Sequence, residues 1–364
     1  MPATTSNYQT GSYRNRIDAN IDDYCKKALE QVRKTYGDYA HDSLEIVMSI
    51  LARGGKRMRG SLAMATYNMF GGKDEAMIIQ AARALEMVHA YLLVIDDIAD
   101  RSPLRRGGPT AHLLFEKYYD DHHLHGDKVH FGQAMGMTAG LLGVHMAELT
   151  IDDMEIEPQK WAKAFKSLHQ NLVHTIFGQL RDALEEMRDD VTEHDAMAVA
   201  KLKTAHYSFV NPMQFGAILA GASDKDLDTL TKFGLEAGVA FQVVDDIQGV
   251  FGSEKELGKS VSSDISEGKM TILTTYALAH GSSQDQATLR GALGNQQLSN
   301  ELLEQAREIL KNTSALAHAQ ETATVYLGRA RKMLDEMPES WSGAGREYLN
   351  DVLQLIEKQI TIRS

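Results

Sequence analysis

The sequence predicts an all-α protein, a single-domain bundle of ten or more helices around a central cavity. Three observations carry that expectation. Apolar residues recur at helical steps, as in Leu227, Leu230, Phe233, Ala237, Phe241 and Val244, which places them on one face of a helix. Alternating apolar–polar runs bounded by Asn-Gly or Asp-Gly turns, the mark of β-hairpins, do not occur. Only six prolines interrupt 364 residues, with no Gly/Ser/Pro-rich linker, so one domain over 1–364 is expected, its first 20 residues forming a flexible segment.

Taken in order, the segment Ile79 to Ile95 is apolar on more than one side and should lie inside the bundle. Breaks are expected at GGKRMRG, MFGGKDE, SPLRRGGPT, HGDK, IEPQK and FGSEKELGKSVSSD, all rich in Gly, Pro or Ser. Pro212 falls within a helical pattern and is expected to kink it.

Composition narrows the functional classes. A net charge of −12 argues against a nucleic-acid binder, whose affinity rests on phosphate neutralisation. The single cysteine, Cys25, excludes an intramolecular disulfide and fits a reducing compartment. The N-terminus lacks the apolar core of a secretion signal, and no window offers the roughly 18 unbroken apolar residues of a membrane span. A cytoplasmic protein without a transmembrane segment is expected.

The chemistry-bearing stretch is DDIADRSPLRRGG, residues 96 to 108. On a helix, Asp96 and Asp100 share a face, with Asp97 beside them. Carboxylates crowded at the end of an interior helix repel one another unless a cation holds them. A second pair, Asp245 and Asp246, follows another apolar stretch. Two such ends facing across a bundle would line a cavity with carboxylates from opposite walls. Mg²⁺ suits such a place, because it takes one or two carboxylates and completes its shell with water and substrate phosphates.

Each acidic pair has its own cations. Arg105 and Arg106 follow the first, while Lys259 and Lys269 follow the second and flank Asp264. GGKRMRG adds Lys56, Arg57 and Arg59 after a glycine pair, and Lys201 and Lys203 lie in AKLKTAHY. A metal–oligophosphate site needs both signs of charge, since Mg²⁺ leaves part of the anion uncompensated.

These elements, in this order, resemble the trans-isoprenyl diphosphate synthases. That family carries GGKRxRP, a first DDxxD with RRG, GQxxD, a Lys-Thr pair, FQxxDDxxD and GKxxGxDxxxGKxT. The corresponding stretches here are GGKRMRG, DDIAD…RRG, GQLRD, KT at 203 to 204, FQVVDDIQG and GKSVSSDISEGKMT. The resemblance implies an all-α homodimer that joins isopentenyl diphosphate to an allylic diphosphate. Lys56, Arg59, His89 and Arg106 would bind isopentenyl diphosphate. Asp96, Asp97, Asp100 and Asp245, helped by Asp246, would hold three Mg²⁺ ions on the allylic diphosphate. Arg105, Lys203, Lys259 and Lys269 would complete the allylic site, and Thr204, Phe241 and Gln242 would line the reacting centre. This chain departs from the pattern in having Gly249 for the last aspartate of the second motif. Ile95 stands where a histidine is usual, and Gly60, Ser262 and Leu273 replace a proline, a glycine and a proline.

Product length should follow from what blocks the cavity floor. Tyr91 precedes Asp96 by five residues, about 7.5 Å along a helix axis. An aromatic there, followed by Leu92, resembles C20 synthases, so geranylgeranyl diphosphate is the expected product, with farnesyl or longer polyprenyl diphosphates as alternatives. A class I terpene cyclase would share DDxxD, but Gly249 and Ser253 stand where its second metal motif needs a hydroxyl residue and a glutamate. A non-catalytic subunit of a prenyltransferase is a further alternative. Four histidines in YYDDHHLHGDKVH fit a solvated loop, and Glu86-x-x-His89 lacks the second such pair that a di-iron bundle needs.

Overall fold

The protein, seen as a computed structural model, is described for residues 6–152, 154–252, 262–341 and 343–361. Its residues cluster into two compact units, one of Met1–Met64 with Lys73–Ile156, the other of Ala65–Gly72 with Glu157–Ser364.

The first unit holds α1 (Ser6–Tyr36), α2 (Asp38–Ala52), the start of α3 (Met58–Met69) and α4 (Glu75–Ala99). A short strand pair, β1 (Leu104–Arg105) with β2 (Gly108–Pro109), precedes α5 (Ala111–Asp121) and α6 (Lys128–Asp152). Asp74 caps α4 by accepting the Met77 N–H at 2.9 Å, which satisfies one of the four unpaired donors of the first turn. Beyond the cap, Ile78, Ala81, Ala82, Leu85, Val88 and Tyr91 are buried, as the apolar pattern of this segment predicts.

The expected flexible start is corrected from Tyr13 onward. α1 is continuous, and Tyr13, Ile17, Ile21 and Cys25 are all buried. Steps of four put these residues on one helical stripe, and burying that stripe outweighs the entropy of a free tail. Burial also pushes the Cys25 thiol up to about 11, so this cysteine is a packing residue.

The second unit contains α7 (Pro158–Glu185), α8 (Glu193–Val199), a π-helical segment (Ala200–Val210), α9 (Asn211–Ala220) and α10 (Asp224–Phe251). It continues with α11 (Ser263–Glu267), α12 (Ile272–His280), α13 (Ser283–Ala292), α14 (Asn300–Asn312), α15 (Ala315–Asp335) and α16 (Gly343–Ile360). Ser223 and Asp226 form a reciprocal capping box at the start of α10. On α10, Leu227, Leu230, Phe233, Ala237 and Val244 are buried and Phe241 is half-buried, as their spacing predicts.

Pro212 has a specific setting. The wide π turns end just before it, the Asn211 N–H bonding back to His206 O. Proline is tolerated in the first turn of the helix that follows because it needs no N–H there. Among the described residues, strand is confined to the β1–β2 pair. Two helices, α4 and α6, are long and apolar enough to cross a membrane by length and composition. In α4, 61% of the apolar window is buried within the protein, as in a core helix.

Candidate active site

In the first unit, the loop after α2 and the β1–β2 turn are built together. Gly54 and Gly55 have φ of 80° and 131°, and Arg57 has 48°. A Cβ on Gly55 would lie 3.1 Å from Cζ of Arg106, so the bare backbone makes room for that guanidinium. Arg106 and Gly107, the two central residues of the turn, both have positive φ, 52° and 73°, the signature of a type I′ hairpin turn. The sequence carries no Asn-Gly or Asp-Gly to announce it, which is why no hairpin is expected from the sequence. Arg53 Nη1 donates to Pro109 O at 2.6 Å and fastens the hairpin to the end of α2.

This turn sends adjacent arginines to different partners. Arg105 donates through Nε to Asp97 Oδ1 at 2.7 Å, and its Nη2 bonds the same oxygen and lies 3.7 Å from Asp96 Oδ2. Arg106 instead donates to Ile50 O at 3.0 Å. Its charge joins Arg59, Arg105 and Arg57 around His89. Burial, then those arginines, hold the His89 imidazole well below its usual range, so it is neutral. Burial and then the neighbouring Arg57 push Arg106 down to about 10. Arg59 and Arg106 thus form a cationic cluster around the neutral His89, while Lys56 is exposed on the glycine loop.

Arg57 corrects the sequence reading of that loop as three phosphate-ready cations. Its side chain is buried, with Nε on Asp18 Oδ1 and Nη2 on Leu51 O, both at 2.7 Å, and Nη1 3.7 Å from Glu86. Glu86 also accepts the Gly60 N–H at 2.9 Å. A proline at 60 has no N–H to give, so the departure at Gly60 has a structural partner.

The three aspartates of α4 differ from one another. Asp97 is buried, and burial pushes its carboxyl up to about 6 against the pull of Arg105. Asp96 is half-buried, and Asp100 terminates the helix. They do not converge on one point. Among the described residues, the group that brings three ligand atoms within 4.8 Å is His41, Asp42 and Glu45, which the sequence reading did not single out.

Tyr91 lies fully buried against α6, where a Cβ on Gly143 would overlap its ring. Its hydroxyl accepts and donates no hydrogen bond among the described residues. Leu92 is half-buried and four residues before Asp96, so it shares that aspartate's face of α4.

In the second unit, glycines on two helices admit the π-helical segment. A Cβ on Gly178 of α7 would stand 2.8 Å from Lys203 Cα, and one on Gly238 of α10 would stand 2.5 Å from Ala205 Cα. Within that wide turn, Lys203 Nζ donates to Asp182 Oδ2 at 2.7 Å, and Lys269 approaches the same oxygen at 4.0 Å. Thr204 donates to Gln242 Oε1, and Gln242 Nε2 donates to Asp246 Oδ1 at 2.7 Å. Lys203 and Lys269 therefore gather at Asp182, and Thr204, Gln242 and Asp246 form a separate hydrogen-bonded chain. Phe241 stacks at a tilt on Phe209, 5.6 Å between centroids, and Asp245 is half-buried. Lys259 lies outside the described residues. Asp182, absent from the expected ligands, was signalled by its place four residues after Gly178 in GQLRD.

Against this geometry, residues 41–310 match the family model described as polyprenyl synthetase. The chain belongs to the polyprenyl synthetase family. It is 34% identical to geranylgeranyl diphosphate synthase of Saccharolobus solfataricus, over 90% of this chain and 92% of that protein. It is 32% identical to geranylfarnesyl diphosphate synthase of Aeropyrum pernix, over 86% and 93%. The crystal structure of geranylgeranyl pyrophosphate synthase from Corynebacterium glutamicum, complexed with isoprenyl diphosphate and magnesium, superposes with a TM-score of 0.88. It shares 27% identity and covers 96% of this chain and 99% of that one. Within this polyprenyl synthetase family, the chain is a trans-isoprenyl diphosphate synthase.

Proposed function

We propose that the protein condenses isopentenyl diphosphate head-to-tail with an allylic diphosphate and releases geranylgeranyl diphosphate. The observation that carries this reading is the division of labour between Arg105 and Arg106. One serves carboxylates and the other a cluster of cations around neutral His89. A reaction of two diphosphates, only one of them metal-bound, calls for two such places. A cyclase, with a single diphosphate, has no use for the second.

The residues fit Mg²⁺. Asp97 Oδ2 is buried and takes no hydrogen bond from the described residues, which suits a hard cation as partner. Asp96, Asp97, Asp100 and Asp245, with Asp246 in support, would hold three ions. When bound, Mg²⁺ supplies charge that offsets the negative charge growing on departing pyrophosphate.

The chain's own groups do the rest. Arg105, Lys203, Lys259 and Lys269 hold the allylic diphosphate, with Asp182 fixing the direction of Lys203 and Lys269. Lys56, Arg59, His89 and Arg106 hold isopentenyl diphosphate. The oriented cations of the allylic site favour breaking of the allylic C–O bond, since preorganised charge is strongest where water is excluded. The isopentenyl double bond then attacks the allylic cation, and a proton leaves to the pyrophosphate. Thr204, Phe241 and Gln242 line this centre, and Tyr91 limits the tail.

The family match runs through both units, which supports one functional domain over 1–364. We infer a cytoplasmic homodimer. α6 leaves Met137, Leu141 and Leu149 exposed in the single chain, and light scattering on the purified protein tests the pairing. The activity is tested by incubating the protein with labelled isopentenyl diphosphate, farnesyl diphosphate and Mg²⁺. A C20 diphosphate supports the reading. A longer ladder supports a polyprenyl synthase, and a cyclised hydrocarbon or no product overturns condensation by this chain.

A further inference from the structure

α1 brings an arginine to the glycine loop. Tyr13 and Ile17 are buried on one stripe of this helix and fix its rotation, so Arg14 projects from the edge of that stripe. Its Nε lies 3.6 Å from Oδ2 of Asp18, one turn further along α1. Its Nη2 reaches the loop, 3.9 Å from where a Cβ on Gly54 would stand. Gly55, the next residue, meets Arg106 in the same way at 3.1 Å. Each residue of the bare Gly54–Gly55 backbone therefore has a guanidinium beside it, and exposed Lys56 follows.

Asp18 does not use up the charge of Arg14. Its other oxygen, Oδ1, accepts from Nε of buried Arg57 at 2.7 Å, so one carboxylate serves two arginines. The Arg14 side chain is 51% exposed, and exposed ion pairs contribute little. An arginine with a shared counter-ion has positive charge to offer an anion, and its planar fork suits a phosphate. The neighbouring cluster needs that charge. His89 there is neutral, and in the condensation reading the diphosphate held by this cluster carries no metal ion. Arg14 precedes residues 41–310, the stretch that matches the family model, and so lies well before the first family motif.

We propose that Arg14 is a further ligand for the diphosphate of isopentenyl diphosphate, reaching it over the glycine loop from α1 as Arg106 does from the β1–β2 turn. This rests on the condensation reading, in which Lys56, Arg59 and Arg106 hold that substrate. The guanidinium turns its Nη groups onto phosphate oxygens, while Asp18 stays with Arg57. The N-terminal helix is then part of one substrate site and not of the other.

Initial rates of the full-length protein test this in Arg14→Gln, Arg14→Lys and Arg16→Gln, with each substrate varied at a saturating level of the other. Arg14→Gln raises KM for isopentenyl diphosphate roughly tenfold, the loss expected for one charge-assisted hydrogen bond. Its kcat and its KM for farnesyl diphosphate stay unchanged. Arg14→Lys recovers part of the loss, because it returns the charge without the fork. Arg16→Gln removes a surface ion pair with Glu75 from the same helix and leaves both KM values as they are. All three variants melt within about two degrees of the wild type. An unchanged KM in Arg14→Gln, a rise shared by both substrates, or the same rise in Arg16→Gln overturns the role of Arg14 and leaves the condensation reading standing. A wild type that condenses nothing overturns that reading and this inference together.

Discussion

Lys203 and Asp182 are joined Nζ to Oδ2 at 2.7 Å, across a helix contact so close that the residue one turn before Asp182 has no side chain. Gly178 brings α7 against the π-helical segment, and the segment's wide turn presents Lys203 to the carboxylate. π turns inside α-helices recur at functional sites, and here the distortion carries Lys203 and Thr204 together.

Lys203→Ala should lower kcat roughly 10²–10³-fold, the usual loss on removing one preorganised charge at a developing anion. Asp182→Asn should cost roughly tenfold by loosening the lysine. Gly178→Val should act through packing, destabilising the protein by about 1–3 kcal/mol. Steady-state kinetics and thermal melts of the three variants separate these effects.

The Arg106–Gly107 turn makes a second prediction. Valine at 107 cannot hold φ of 73° without strain. Gly107→Val should therefore re-aim both arginines and raise KM for the two substrates together. Arg106→Ala should raise KM for isopentenyl diphosphate alone. Initial-rate measurements with each substrate varied in turn check both.

Tyr91→Ala should lengthen the product. It opens a space beside Gly143 where the ring now lies, and it should cost about 3–5 kcal/mol of stability, as large-to-small core changes do. Chromatography of the dephosphorylated products measures the first effect, and a denaturant melt the second. An unchanged product spectrum removes Tyr91 as the floor.

Two histidines, His89 and His206, should cost stability on mild acidification. Burial holds His89 well below its usual range, and burial with the neighbouring His174 pushes His206 down to about 4. Unfolded histidines take a proton near pH 6.5, whereas these two stay neutral in the folded chain until lower pH. At these two sites the unfolded state therefore binds more protons below about pH 6.5, and their contribution to stability is lost as pH falls from there towards 4, while Asp97, pushed up to about 6, contributes in the opposite direction. His206→Gln should flatten part of that slope in melts run across the range.

Much of this was legible because charge and periodicity are local. An interior helix that turns acidic at Asp96 and Asp97, then basic at Arg105 and Arg106, is visible in a dozen residues. What escaped depends on distant contacts. Arg57 looks like Lys56 in sequence, yet it is buried against Asp18 while Lys56 is exposed. The type I′ turn has an arginine at a position where glycine or asparagine is usual, held by Ile50 and Arg53 from elsewhere in the chain. The π-helical turns leave no periodic trace, since they are set by the glycines of α7 and α10 that pack on them. Gly60 reads as a loss from a motif until its partner, Glu86, is seen.

The central claim is that aspartates of both motifs hold the metal that draws pyrophosphate away from the allylic carbon. Single-turnover incorporation of labelled isopentenyl diphosphate, at saturating Mg²⁺, tests it in Asp96→Asn and Asp245→Asn. The account predicts that each substitution slows the chemical step by at least roughly 10²-fold while the fold is kept. Near-wild-type turnover in either folded variant would contradict it.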